Sequence, residues 1–168
     1  MSIETTDIKV YLSGGAENTD PDDSIGGAIS TTELTDDTLH NLFAKVTAAE
    51  ALAGSTKYRA VFFKNEHATL TWEAVKAYID TQTTSEDTSI EIGVAAEGKN
   101  SAIEAIADED TAPEDVVFTA TTTPASGEDV PDLEAGDYIG IWVKRIVDAE
   151  ATATASDSGK PALRGETT

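Results

Sequence analysis

Two runs of residues, 58–64 and 138–147, carry apolar side chains at both parities, and this constrains the fold more than any other feature of the chain. Tyr58, Ala60 and Phe62 fall on one face of an extended run, Val61 and Phe63 on the other, as in a strand covered on both sides. In 138–147, Ile139, Ile141, Val143 and Val147 face one way while Tyr138 and Trp142 face the other. Such strands must lie in sheets with material packed on each face. The expected fold class is mainly β: a single antiparallel β-sandwich, Ig-like or jelly-roll-like, with residues 1–168 as one domain. A chain of 168 residues buries roughly two thirds of the surface its unfolded form exposes, enough to fold without staples.

Shorter runs supply the remaining strands. Ile8, Val10 and Leu12 alternate with polar neighbours as a first strand, and Ile90, Ile92 and Val94 alternate with Glu91 and Gly93 as a half-buried one. Residues 69–79 satisfy two periods: Trp72, Val75 and Tyr78 or Ile79 at helical spacing, Val75, Ala77 and Ile79 at strand spacing. Strand-type side chains decide for a strand, with a bulge near Glu73 to reconcile the phases. Val116 to Phe118 reads as a short strand and Ala162 to Arg164 as a closing one, while Ile103 and Ile106 pin an acidic irregular stretch, 98–113, to the core.

One or two short helices are expected between the early strands, in an insertion over about 36–54. Leu39, Leu42, Phe43 and Val46 lie at i, i+3, i+4 and i+7, behind Asp36 and Asp37 at the positive N-terminal end. Thr47 and Glu50 have capping-box spacing, and Gly54 stops the run.

The loop 16–30 is built of turn formers, and its carboxylates Asp20, Asp22 and Asp23 are calcium candidates by clustering alone. They lack the spacing of an EF-hand loop, and a solvated turn is the preferred reading. His40 and His67 read as surface residues, since there is no Cys and no third His to complete a metal or catalytic set. No Ser/His/Asp constellation, phosphate-binding Gly loop or dinucleotide fingerprint is present. No catalytic residue, cofactor or metal is therefore expected, and the chain is read as not an enzyme. Lys144 and Arg145 are expected to balance nearby carboxylates, and Trp72 to be a core residue before a sugar-stacking platform.

The formal net charge is −21. Nucleic acid and anionic lipid need Lys and Arg to release counterions, so neither is expected as a direct partner. Two readings of the charge stay open: adaptation to high salt, in which screening removes self-repulsion, and an ordinary acidic surface. The first residues carry no basic segment followed by an apolar one, and no stretch approaches the roughly 18 apolar residues of a membrane span. No signal peptide or transmembrane segment is expected.

In the turn at 132–138, Leu133, Gly136 and Tyr138 resemble the tyrosine corner of Ig-like sandwiches, whose phenol closes back on the preceding turn. Over nearly the whole chain a longer succession runs from Leu12 to Ala16, then Asn18 to Pro21, Gly26 and Gly27, Asn41 to Phe43, Val46 and Thr47, Glu50 and Ala51, Gly54, Tyr58 and Arg59, and Lys64 and Asn65. It continues with Thr111 to Pro113, Phe118, Leu133 with Gly136, and Ile141 to Arg145. This succession resembles small β-rich accessory proteins from the virions of tailed phages and related tailed viruses. The resemblance implies a virion structural protein made in the host cytoplasm, a capsid decoration or neck or tail subunit. Its partners would be other virion proteins and copies of itself. The rival expectation is a lectin-like sandwich recognising host-surface glycans.

Overall fold

The computed structural model describes residues 2–167. Among these, the strands are β1 (Ile8–Leu12), β2 (Ser55–Asn65), β3 (Trp72–Thr81), β4 (Thr88–Val94), β5 (Glu128–Asp129), β6 (Tyr138–Val147) and β7 (Lys160–Thr167), with one α-helix, α1 (Ala48–Ala53). They form two antiparallel sheets, in the orders β1-β2-β6-β4 and β5-β3-β7. The fold is a β-sandwich. With the two-residue β5 set aside, this is the order of the first six strands of a constant-type immunoglobulin sandwich, ABED facing CF.

β2 and β6 are the spine of the larger sheet, paired from Ser55 opposite Val147 to Lys64 opposite Tyr138. Their two-residue period sorts the side chains into two cores, as the sequence pattern requires. Val61, Phe63, Ile139, Ile141 and Val143 meet Trp72, Val75, Ala77 and Ile79 of β3 between the sheets. Ala60, Phe62 and Trp142 face the opposite way, against Ile103 and Ile106. Loops roof this second core: the peptides of Gly27 and Ile103 exchange hydrogen bonds of 3.1 Å. Gly140 makes the roof possible, because a Cβ there would come within 2.6 Å of the Ile103 side chain. Full burial of an Ile, Leu or Phe side chain stabilises by about 1.5–3 kcal/mol, so a strand buried on both faces gains on each.

The bulge in β3 falls where the two periods conflict. The register with β7 shifts between Glu73 and Lys76, and Ala74 adopts φ 49°. α1 is capped by the reciprocal Thr47 and Glu50 bonds and ends at Gly54, φ 77°.

Three expectations are corrected. Residues 39–46 do not form a helix: Asp37 and His40 take φ of 54° and 58°, and Leu39 is 74% exposed. Asp, Thr, His and Asn are weak helix formers that prefer local turns, and here the Asp36 carboxylate accepts from the Asp37 N–H while Asn41 donates to the Thr35 carbonyl. The freed segment inserts Leu42 and Phe43 into the inter-sheet core. Val116 to Phe118 is not a strand either. It follows a left-handed Asp115 and leaves Val117 72% exposed, with only Thr119 bridging to Ile92.

The third correction concerns the turn before β6. Among the described residues the Tyr138 phenol makes no hydrogen bond back to it; the ring stands edge-on to Phe62, centroids 5.6 Å apart. The Asp137 carboxylate closes the turn instead, accepting from the Glu134 N–H at 3.0 Å, Lys99 Nζ at 2.7 Å and Asn100 Nδ2 at 2.6 Å.

Candidate functional site

Two places gather polar side chains: a buried charge cluster at one end of β2 and an open trough at the other. The cluster follows from strand parity. Lys57 and Arg59 share the inward face of Val61 and Phe63, and Arg145 lies opposite Lys57 on β6, so three cations enter the edge of the inter-sheet space. Arg59 is 2% exposed. Its Nη2 lies 3.1 Å from Asp22 Oδ1 and also contacts Glu109. Lys57 bridges Glu50 at 2.7 Å and Glu109. Arg145 donates to the Ala44 carbonyl at 2.7 Å and lies 3.4 Å from Glu50.

Phe43 lies within reach of both guanidinium groups, at 5.8 Å from Arg59 and 5.0 Å from Arg145. The charges explain their own titration. Burial alone would push the Glu50 carboxyl up, but hydrogen bonds from Lys57 and Thr47 outweigh it and hold the group at about 2. Glu109 follows the same logic and lies below its ordinary value through Lys57 and Arg59. Burial lowers Arg145 against the pull of Glu50. Arg59 Nε and Nη1 and Arg145 Nε are buried without a hydrogen-bond partner among the described residues. A cluster of this kind locks loops onto a sheet edge, with Arg59 buried and Asp22 reaching solvent.

At the other end, Asn65 is fully buried and organises two turns. Its Nδ2 donates to the carbonyls of Leu70 and Leu133, both at 2.9 Å, and its Oδ1 accepts from His67 N–H. Its own peptide bonds to Asp137 and Gly136. His67 then accepts from the N–H groups of Thr69 and Leu70 through Nδ1.

Beside these turns runs a trough of 540 Å³ lined by Tyr11, Ile29, Ser30, Thr31, Lys64 and Tyr138. A polar hollow of 360 Å³ with Glu66 and His67 adjoins it across Lys64 and Gly136. Tyr11 donates to Glu66 at 2.7 Å, and Lys64 lies 3.1 Å from the same carboxylate and 5.7 Å from the Tyr11 ring centre. Burial and the neighbouring carboxylate push the Tyr11 phenol up to about 12, so it holds its proton. The trough offers ring faces, hydroxyls and a neutralised ion pair, which suit hydrogen bonding to a neutral polar ligand.

The calcium candidates are not brought together. Asp20 caps a short 3-10 turn by accepting from the Asp22 N–H at 2.9 Å, and Asp22 turns to Arg59. Among the described residues no three His or carboxylate side chains are grouped to hold a metal. His40 is exposed and stands apart from His67 in function, since His67 closes a turn. Lys144 pairs with Glu91 at 2.8 Å, as its position suggested, and Trp72 is 6% exposed in the core.

Asn65, Asp137 and Asp157 were missed at the level of sequence. Asp157 accepts from the N–H groups of Thr84 and Ser85 and from the hydroxyls of Thr84 and Thr88, tying the 149–158 loop to the turn before β4. Nothing in a run of loop carboxylates marks which one will be used this way. Arg59 did carry a signal, a charge on the inward parity of a doubly covered strand. Among the described residues no helix is long and apolar enough to cross a membrane. Comparison of the chain with family models, with curated proteins and with solved structures gave no match.

Proposed function

We propose that the chain is a non-enzymatic virion structural protein of a tailed virus, a capsid decoration or a neck or tail accessory subunit that acts through protein–protein contacts. The observation that supports it is where the displaced carboxylates sit. Glu50, Glu109, Asp137 and Asp157 are all held below their ordinary values while fixing a loop or helix end against a sheet. Perturbed acids usually mark chemistry when they converge in a cleft; these four rigidify a surface, and a fifth, Glu66, lowered by its hydrogen bonds from Tyr11 and Lys64, stands by itself in the open hollow. Long loops fixed on a sandwich suit a subunit that presents a constant shape to its neighbours. Recombinant chain mixed with capsid or tail shells should co-sediment with them at a saturable ratio, and failure to bind any shell contradicts the proposal.

The trough beside Tyr11 and Tyr138 favours one second reading, a lectin-like module for host-surface glycans, because ring faces flanked by hydroxyls are what a sugar requires. A glycan array with and without EDTA separates the two. Specific binding supports the second reading, and loss of that binding with chelator would show that it needs a divalent cation. Shell binding with no glycan signal supports the first.

A further inference from the structure

The two sheets have four outer edges, and they are not treated alike. Along β1, Leu12 N–H donates to Thr32, Leu34 N–H donates to Val10, and Tyr11 bridges to Glu33. On β4, Thr119 bridges to Ile92, the Gln82 side chain bonds both backbone groups of Ile90, and Glu128 accepts from Val94 N–H. β5 is two residues long. β7 is eight residues long, and among the described residues nothing bonds to the backbone on its outer side. In the immunoglobulin order this is the edge of strand F, where strand G would pair.

The direction of the free groups is fixed by β3. Ile79 N–H donates to Thr121 and Val75 C=O accepts from Val130, so these odd residues point away from β7. Lys76 and Tyr78 therefore bond toward β7, opposite Arg164 and Ala162. It follows that Pro161, Leu163 and Gly165 direct their backbone groups outward. Pro161 has no N–H to offer, which leaves the N–H groups of Leu163 and Gly165 and the carbonyls of all three.

We propose that β7 pairs antiparallel with β7 of a second copy of this chain about a twofold axis at Leu163, which joins the two smaller sheets into one. The strand is complementary to itself in that register. Lys160 meets Glu166 of the other copy, Ala162 meets Arg164, Pro161 meets Gly165 and Leu163 meets Leu163. Leu163 N–H reaches the opposing Leu163 carbonyl, and Gly165 N–H reaches the Pro161 carbonyl that lacks a reciprocal donor. Half-buried Leu163 already packs against the inter-sheet core, so its pairing extends that core across the axis. β7 also carries two cations against one carboxylate, which makes it a favourable place for two chains of charge −21 to approach. Pairing strengthens as salt screens the remaining repulsion. The inference rests on the proposed function only in naming its partner, a second copy.

Sedimentation equilibrium at low salt and near 1 M salt, where the Debye length is about 3 Å, reads the association, and amide exchange by NMR reads the edge. A dimer is expected, stronger at high salt, in which the Leu163 and Gly165 amides become protected as concentration rises. The Ala162 and Arg164 amides, bonded to β3, stay protected throughout. Lys160, which lies 3.9 Å from Asp36, and Glu166 are both exposed, so their variants leave the core intact. K160E and E166K should each weaken the dimer about tenfold, since each places like charges across the strand pair twice. The double swap should restore it. A monomer at all concentrations overturns the proposal, as does a dimer in which Leu163 and Gly165 exchange freely or one indifferent to K160E. Shell binding that persists with a monomeric chain would overturn this inference and leave the proposed function standing.

Discussion

Arg59 and Arg145, on neighbouring strands of the larger sheet, approach the same Phe43 ring, at 5.8 Å and 5.0 Å from its centre. Two like charges are held together because three carboxylates surround them and an aromatic ring lies within reach of both. Removing one member from such a cluster leaves its partner charged in a dry place, which costs about 3–5 kcal/mol when burial is complete. Glu109→Gln takes away one of the two carboxylates on Arg59, and with Glu109 partly exposed and Asp22 still in place the loss should be smaller, about 2 kcal/mol. Urea unfolding of the wild type and E109Q checks this; equal midpoints would show that the cluster is not stabilising.

Asn65 allows a sharper test. Its amide nitrogen donates to two carbonyls, so Asn65→Asp keeps the shape and turns two attractions into repulsions. Each lost hydrogen bond costs about 1 kcal/mol and the buried charge adds more. A lowered melting temperature at pH 7, partly regained when the new carboxyl is protonated at lower pH, is the expected result.

The acid limb of stability follows from the carboxylates. Glu50, Glu66, Glu109, Asp137 and Asp157 have folded values below their unfolded ones. Their contribution is complete above the unfolded value and is lost as pH falls through the folded one, which for Glu50 spans 4.5 down to about 2. Glu128 acts in the other direction: burial raises it, so its protonation as pH falls favours the folded state. The net effect of five groups against one is a steady loss of unfolding free energy below pH 4.5. Asp157→Asn should lower stability at pH 7 and flatten this limb in a series of denaturant titrations.

The spine was legible because parity is a strong signal: Val61 and Phe63 on one face and Ala60 and Phe62 on the other admit no surface strand. The bulge was legible because two periods collided near Glu73. The 39–46 stripe misled because its spacing is compatible with a helix, while its use is tertiary. Phe43 is drawn toward cations that come from residues 59 and 145, far along the chain, and local propensity at Asp37 and His40 is too weak to resist. Tyr138 misled in a similar way, since Phe62 decides what its ring does. Asn65, Asp137 and Asp157 depend on where loops land, which no local pattern encodes.

The charge makes a prediction of its own. Nine of the eleven cationic side chains, Lys9, Lys57, Arg59, Lys64, Lys76, Lys99, Lys144, Arg145 and Lys160, form ion pairs among the described residues. The unbalanced remainder is therefore carboxylate, and self-repulsion should dominate at low ionic strength. Melting temperature should climb with NaCl toward about 1 M; a flat profile would favour the ordinary acidic surface over adaptation to salt.

The central claim is that this sandwich is a building part of a virus particle. Quantitative mass spectrometry of washed, density-purified particles tests it most directly. The account predicts the chain at a fixed ratio to the major capsid protein, unchanged by further washing. Its absence from the particles, with the chain recovered only from the lysate, would contradict the account.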